Sequence, residues 1–461
     1  MRRPGVWGWM AFDFSAQPFF TVVLTFVFGP YFVSQLAPDP ATGQTWWSLS
    51  ATIAGLIVAF GSPFLGAVAD RAGPRKPWIG VFAAFKIAAL CLLWFAAPGS
   101  SLALATMLIV VATVAAEFSI VFNDAMMPRL LRNDEIGRVS NIAWGLGYAG
   151  GIVFLIGALA FLAGSKETGL TLLGLLPAFG LDPAEGEGAR ATAPLAALWY
   201  LVFILPMFFL TPDRARGERV SSAASKGLGD LLSTFREIRQ RRPLFQFLIA
   251  RMIYQDGVNA LLVLGGAFAA GMFGWTLTES GLFGIILNVV AIPSCFAAGV
   301  LDARLGSKAV VVMAIACLSL ATIGIISTSP DSALFGLLSF APPSEGDGIF
   351  ASGAEKSYIV FGLLIGLAFG PIQASSRSWM AKSITPEEAG RYFGFYAFIG
   401  RATSFLAPAA VAATTAIAAQ SFAPIMASRI GMASLIVFFV VGLVMVLRTP
   451  GPREMGLIAP R

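Results

Sequence analysis

The chain has 461 residues, 57% of them hydrophobic and only 12% charged, with a formal net charge of +6 and a mean hydropathy of +0.79. Soluble domains carry about 25% charged residues, so a water-soluble globule is excluded and an integral membrane protein is expected. Histidine is absent and the three cysteines, Cys91, Cys295 and Cys317, sit inside apolar runs; this excludes histidine-based acid–base chemistry and argues against a thiolate metal site or a disulfide framework.

In chain order, twelve apolar stretches are long enough for the about 20 residues that cross the hydrocarbon core. The first, 8–36, is too long for a cleaved leader and reads as span 1. It carries Asp13, with Gln17 one turn further in. A charge at the centre of a spanning helix costs about 2.5–3.5 kcal/mol on insertion scales and usually faces a bundle interior or a wet cavity. The plainer alternative is a shallow, hydrated acid or helix-end cap, since the interfacial residues Trp7 and Trp9 lie just before it. Spans 2 to 6 are expected at 45–69, 77–97, 101–126, 138–163 and 195–211. Spans 7 to 12 follow at 244–273, 277–301, 308–328, 357–380, 391–418 and 425–447.

The predicted organisation is all-α: a six-helix half at 1–211, a basic connector at 212–243, and a second six-helix half with a short tail at 244–461. Within the connector, Lys226 to Arg242 reads as an amphipathic helix lying on the membrane surface. The loops 164–194 and 329–357 are rich in Gly, Pro and acids, and the apolar patch Leu170 to Phe179 is expected to rest at the interface. Most of the 31 basic residues fall in loops on the side of the two termini, whereas the opposite loops hold Lys166, Arg190 and Lys356. The positive-inside rule therefore predicts cytoplasmic termini. The net charge reflects this topology, and no nucleic-acid partner is expected.

The two halves echo each other, as transporter repeats do. After span 2 comes Gly66-Ala67-Val68-Ala69-Asp70-Arg71-Ala72-Gly73-Pro74-Arg75-Lys76; after span 8 comes a weaker version from Gly299 to Lys308, with Asp302 and Gly306 at matching places. After span 4, Met127, Glu135, Gly137 and Arg138 are matched at one constant offset by Met380, Glu388, Gly390 and Arg391 after span 10. A glycine one turn before an aspartate lets two helices cross closely while the acid reaches a neighbouring helix end, where dipole and ion-pair contacts latch one conformation. The predicted latch set is Gly66, Asp70, Arg71, Gly73, Arg75, Lys76, Asp302, Gly306 and Lys308.

Counting about 1.5 Å per residue, Asp256 lies about 18 Å into span 7, with Arg251 shallower, and Arg401 about 15 Å into span 11. Lys86 in span 3 and Glu117 in span 4 are also at interior depth. Both signs are present, so mutual pairing is expected to offset part of the burial cost, and such pairs can be purely structural. The functional alternative assigns Asp13, Gln17, Lys86, Glu117, Arg251, Asp256 and Arg401 to a solute or proton pathway, with Asp256 the counterpart of Asp13 and Gln17 facing the solute.

Gly66 to Lys76 resembles the loop 2–3 signature of the major facilitator superfamily, and further stretches resemble its vacuole-effluxer family, which contains autophagy-related vacuolar amino-acid exporters of fungi and many bacterial members. These stretches are Phe12 to Phe32, Arg138 to Gly151, and Gly370 to Ser378 with Gly394-Phe395-Tyr396. The resemblance implies two six-helix halves rocking about a central site, amino-acid export, and a solute-pathway place for Gln373. The chain departs from the family near Asp13, where Phe12-Asp13-Phe14-Ser15-Ala16-Gln17 stands in place of an aromatic-Asp-Trp-Ala-Asn-Ser type run.

A secondary transporter accounts for all of these features. The expected function is efflux of amino acids or related small metabolites by alternating access with proton coupling; the alternatives are a cation-coupled importer of a sugar or other metabolite, and a transport-inactive receptor or scaffold. A membrane enzyme lacks support, since no phosphate-cradling Gly-x-x-x-x-Gly-Lys loop or metal cluster is present. No cofactor is expected. The partners expected are a small solute, a proton or cation, and membrane lipids, with the chain working as a monomer in a bacterial inner membrane.

Overall fold

The computed structural model describes residues 3–165, 168–341 and 348–452. The basic residues Arg2, Lys166, Arg453 and Arg461 lie outside the described residues, as do the side chains of Leu228, Asp230, Leu231 and Leu232 in the connector. Among the described residues, twelve helical segments are long and apolar enough to cross a membrane. They are Pro4–Leu36, Pro40–Ala72, Lys76–Phe95, Leu102–Leu130, Asn133–Phe161, Glu187–Leu210, Arg242–Phe273, Thr278–Leu305, Ser307–Ile326, Gly353–Lys382, Ala389–Ala418 and Pro424–Arg448, called spans 1 to 12 below. Helices satisfy every backbone group internally, which is what hydrocarbon demands.

Polar residues set where the spans begin. Asp39 accepts from the amide of Thr42 (2.9 Å) at the start of span 2, and Ser352 with Glu355 forms a reciprocal capping box at the start of span 10. Span 6 starts at Glu187, well before the expected 195, because a helix can run beyond the apolar slab. Its first turns are held by Glu187 with Arg190 (3.6 Å) and by Arg190 over the Trp94 ring (4.8 Å). Pro194 therefore lies inside this helix and does not mark its start. The connector forms a helix at Val220–Gln240, and the loop after span 9 folds a short hairpin pairing Ser332 with Ser339.

Four spans are not continuous α-helices: span 3 ends in a 3-10 turn at Leu93–Phe95, span 12 is divided at Ser434, and spans 1 and 11 are broken more extensively. Span 1 is α-helical to Pro18, then π-helical over Phe19–Phe26 and again over Phe32–Leu36; Pro18 and Pro30 remove amide donors, and π turns often mark such places. Span 11 is interrupted between Ala402 and Leu406.

The chain packs into two compact units. The first comprises Met1–Asn133, Leu146–Thr234 and Ile384–Phe398. In it span 1 packs on span 6 and span 3 on span 4, around a core that includes Phe19, Phe28, Phe32, Leu90, Leu93 and Ile109. The second comprises Asp134–Gly145, Phe235–Ser383 and Ile399–Arg461, with span 10 packed on spans 8 and 9 and span 12 on span 7. There Tyr358 is boxed by Phe273, Trp275 and Phe283 and donates to the carbonyl of Gly265 (2.7 Å).

Candidate functional site: a latch and buried polar groups

In the first unit, a Cβ built at Gly66 would overlap the carbonyl oxygen of Gly390, and one built at Gly390 would overlap that of Gly66. Only glycine at both positions lets these backbones touch. The approach brings Asp70, one turn on, to the N-terminus of span 11. Its Oδ1 accepts from the amide of Gly390 (2.9 Å) and its Oδ2 from that of Arg391 (2.7 Å), two donors that begin a helix and have no intrahelical acceptor. Arg75 pairs with Asp70 and also donates to the carbonyl of Ala69. Burial pushes the Arg75 guanidinium below the usual arginine range, and the adjacent Asp70 opposes that shift. Gly73 turns the chain at φ +95°.

The rest of the predicted first-unit set has other partners. Lys76 donates to the carbonyl of Phe208 at the end of span 6 (2.9 Å), and Arg71 reaches Glu218 of the connector (3.1 Å). Sequence reasoning missed Asp213, which accepts from the amides of Arg75 (2.9 and 3.0 Å) and Lys76 (2.8 Å) and so fixes the turn. An isolated Asp in a basic connector carries no signal of that kind.

In the second unit, Asp302 lies so close over Gly137, near the start of span 5, that a Cβ there would overlap its carboxylate. Asp302 Oδ1 accepts from Lys382 Nζ (2.7 Å) and Ser307 Oγ (2.9 Å), while Oδ2 is buried without a hydrogen-bond partner. Gly306 makes the turn at φ +90°. Lys308, expected beside Asp302, instead donates to the carbonyl of Leu447 (3.1 Å) at the end of span 12; Lys382, not foreseen, holds the acid.

The pathway candidates divide between the units. In the first, Asp13 and Gln17 are half-buried on span 1, against which Gly147 and Gly151 of span 5 pack; Gln17 is 3.4 Å from Thr21 Oγ1. Glu117 is half-buried on span 4. Lys86 is 1% exposed, and its Nζ has no hydrogen-bond partner; it rests over the rings of Tyr200 (3.8 Å) and Phe19 (5.1 Å). In the second unit Asp256, 2% exposed, accepts from the amide of Ala407 (3.0 Å), while its Oδ1 has no partner. It therefore caps the second half of the broken span 11. Arg251 packs against Gly400, next to the half-buried Arg401, and Gln373 is half-buried on span 10. The expected mutual pairing fails for Lys86, which takes aromatic faces in place of an acid, and for Asp256, which takes a helix end in place of a cation.

A further group in the second unit joins spans 5 and 10. Arg377 donates from Nε to Ser140 Oγ (2.9 Å) and from Nη2 to the Ser140 carbonyl (3.0 Å), with its guanidinium 5.6 Å from the Trp144 ring. Ser140 in turn donates to the carbonyl of Ala374, and Asn141 donates to Ser375 Oγ (3.0 Å). The signal was the unbroken polar run Ser375-Ser376-Arg377-Ser378 inside an apolar span.

The profile of the family described as "Vacuole effluxer Atg22 like" matches residues 45–455. The chain belongs to that family. An MFS-type transporter of Bacillus subtilis, YxiO, described as uncharacterized, is 24% identical over 450 residues, covering 96% of this chain and 94% of that protein. Autophagy-related protein 22 of Coccidioides immitis is 23% identical over 60% of this chain and 44% of its own length, so the chain spans less than half of this fungal relative. Among solved structures, the proton:xylose symporter XylE aligns with a TM-score of 0.64 at 12% identity, covering 98% of this chain and 97% of XylE. The fucose:proton symporter FucP of E. coli aligns at 0.62 and 15%, covering 96% and 97%. The fold of this Atg22-like protein is thus the major facilitator fold, twelve spans in two six-helix halves, and the protein is an MFS-type transporter, integral to a membrane. It is the network around Arg377 that brings together two of the stretches carrying the family resemblance.

Proposed function

We propose that the protein is a secondary transporter that exports amino acids or related small metabolites by alternating access, with proton movement coupled through Asp256, and that it works as a monomer in a bacterial inner membrane with cytoplasmic termini. The observation that carries the coupling is the divided role of the Asp256 carboxylate. One oxygen accepts from Ala407 at the break in span 11, and the other is buried with no partner. Such a carboxylate can take a proton on Oδ1 without surrendering the helix end held by Oδ2. Titratable groups inside a membrane face the bundle interior and mark ion or proton paths, and discontinuous helices mark transporter sites. Membership of the effluxer family supports the direction, and the resemblance to vacuolar amino-acid exporters supports the solute class.

The test is transport by purified protein in proteoliposomes against a panel of amino acids, peptides, sugars and nucleosides, with and without a pH gradient. Amino-acid movement that responds to the gradient is expected. Asp256→Asn keeps an acceptor oxygen for Ala407, so it is expected to abolish gradient-driven transport while leaving solute exchange partly intact. Unchanged pH dependence in this variant would refute the coupling role, and movement of sugars alone would refute the solute class.

A further inference from the structure

On the side of the termini, the first unit has a partly open pocket of about 370 Å³. Four arginines from four separate segments line it: Arg3 before span 1, Arg75 between spans 2 and 3, Arg129 at the end of span 4, and Arg214 after span 6. Sequence separation on this scale means that the fold, not a local run of charge, concentrates the guanidinium groups. The lining acid is Asp213, and it is committed to backbone amides: those of Arg75, Lys76 and Arg214 (2.8 Å). Asp70 accepts from the amides of Gly390 and Arg391 and also pairs with Arg75. Asp124, next to the lining residue Ala125, is also engaged, as is Arg3.

Arg75 and Arg214 each have a nitrogen to spare. Arg75 is 1% exposed, and its Nε has no partner although both terminal nitrogens are used. Arg214 Nη1 has no hydrogen-bond partner and stands 3.9 Å from Asp70 Oδ1. Val6, Met126 and Leu130 give the cavity an apolar wall. Guanidinium forks match phosphate oxygens in geometry and charge, the volume is at the small end of the about 300–1,000 Å³ of small-molecule sites, and basic pockets between spans on the cytoplasmic side take anionic headgroups.

We infer that this four-arginine cavity is a binding site for a phosphate ester, separate from the solute pathway, supplied either by an anionic phospholipid headgroup or by a soluble phosphorylated metabolite. The site does not depend on the identity of the transported solute.

The test uses the full chain in two settings. In detergent, glycerol 3-phosphate is titrated against thermal unfolding. In nanodiscs, phosphatidylcholine is compared with phosphatidylcholine containing phosphatidylglycerol, and retained lipid is read by native mass spectrometry. Stabilisation by glycerol 3-phosphate assigns the soluble source; retention and stabilisation only with phosphatidylglycerol assign the lipid. Arg129 is exposed and outside the latch, so Arg129→Gln should fold normally, and it is expected to weaken the effect about tenfold; Arg129→Gln combined with Arg3→Gln should remove it. No response to either probe, or an equal response in the double variant, would overturn the assignment.

Discussion

The two loops that echo each other in sequence are different devices. In the first unit, facing glycines let two backbones touch, and Asp70 reaches main-chain amides at a helix start. In the second, a Cβ at Gly299 would lie 3.1 Å from the carbonyl of Arg138, a looser approach, and Asp302 is held by the side chains of Lys382 and Ser307. An acid bound to backbone amides is tied to the position of a whole helix; an acid bound to a lysine can follow a flexible chain. The spacing of glycines, more than the presence of an acid, therefore decides whether such a loop fixes a helix end.

The largest effect should come from Asp70→Ala, which strands the buried Arg75. Removing one partner of a buried pair costs about 3–5 kcal/mol, enough to slow turnover tenfold or more. Substrate affinity should stay within about twofold, measured as KM and kcat in liposomes; a large affinity loss at normal turnover would count against a latch. Next, Gly66→Ala should cost about 1–3 kcal/mol through overlap with the Gly390 carbonyl, whereas Gly299→Ala should cost under about 1 kcal/mol because its neighbour needs to give only slightly. Equal thermal shifts in the two variants would erase the distinction.

Asp302→Asn should cost about 1 kcal/mol, since the amide oxygen still accepts from Ser307, and the loss should vanish in a Lys382→Met background. The smallest effect is expected at Glu218, an exposed acid that Lys226 and Arg71 hold below the usual carboxylate range. A depressed value adds stability above the ordinary carboxylate pKa and loses it as pH falls through the depressed one. Solvent screening makes this contribution minor, so melting curves of Glu218→Gln and the parent should coincide at neutral pH in physiological salt.

Much of the fold was legible because hydrocarbon imposes one rule, and apolar runs of sufficient length betray it. The late start assigned to span 6 shows the limit of that signal: helix that projects beyond the slab is not apolar. The site was legible in part. Gly66, Asp70 and Arg75 stand together because their spacing is local, but the amides Asp70 meets belong to residues 390 and 391, and no pattern along the chain specifies that encounter. Depth counting picked out Lys86 and Asp256 yet misjudged their company, since aromatic rings and a broken helix can each stand in for a countercharge. Lys382 was missed for the same reason as Asp213: its partner is set by packing.

The break in span 11 also bears on how the protein is made. This segment is the least apolar of the twelve, and its second half starts on an amide held by a residue 151 positions earlier. As the chain emerges from the ribosome and enters the bilayer, that half-helix has a ready-made acceptor only because span 7 has already been inserted. The order of synthesis, N-terminal parts first, thus supplies the docking point before the segment that needs it, and completion of the second unit is templated by a helix already in place.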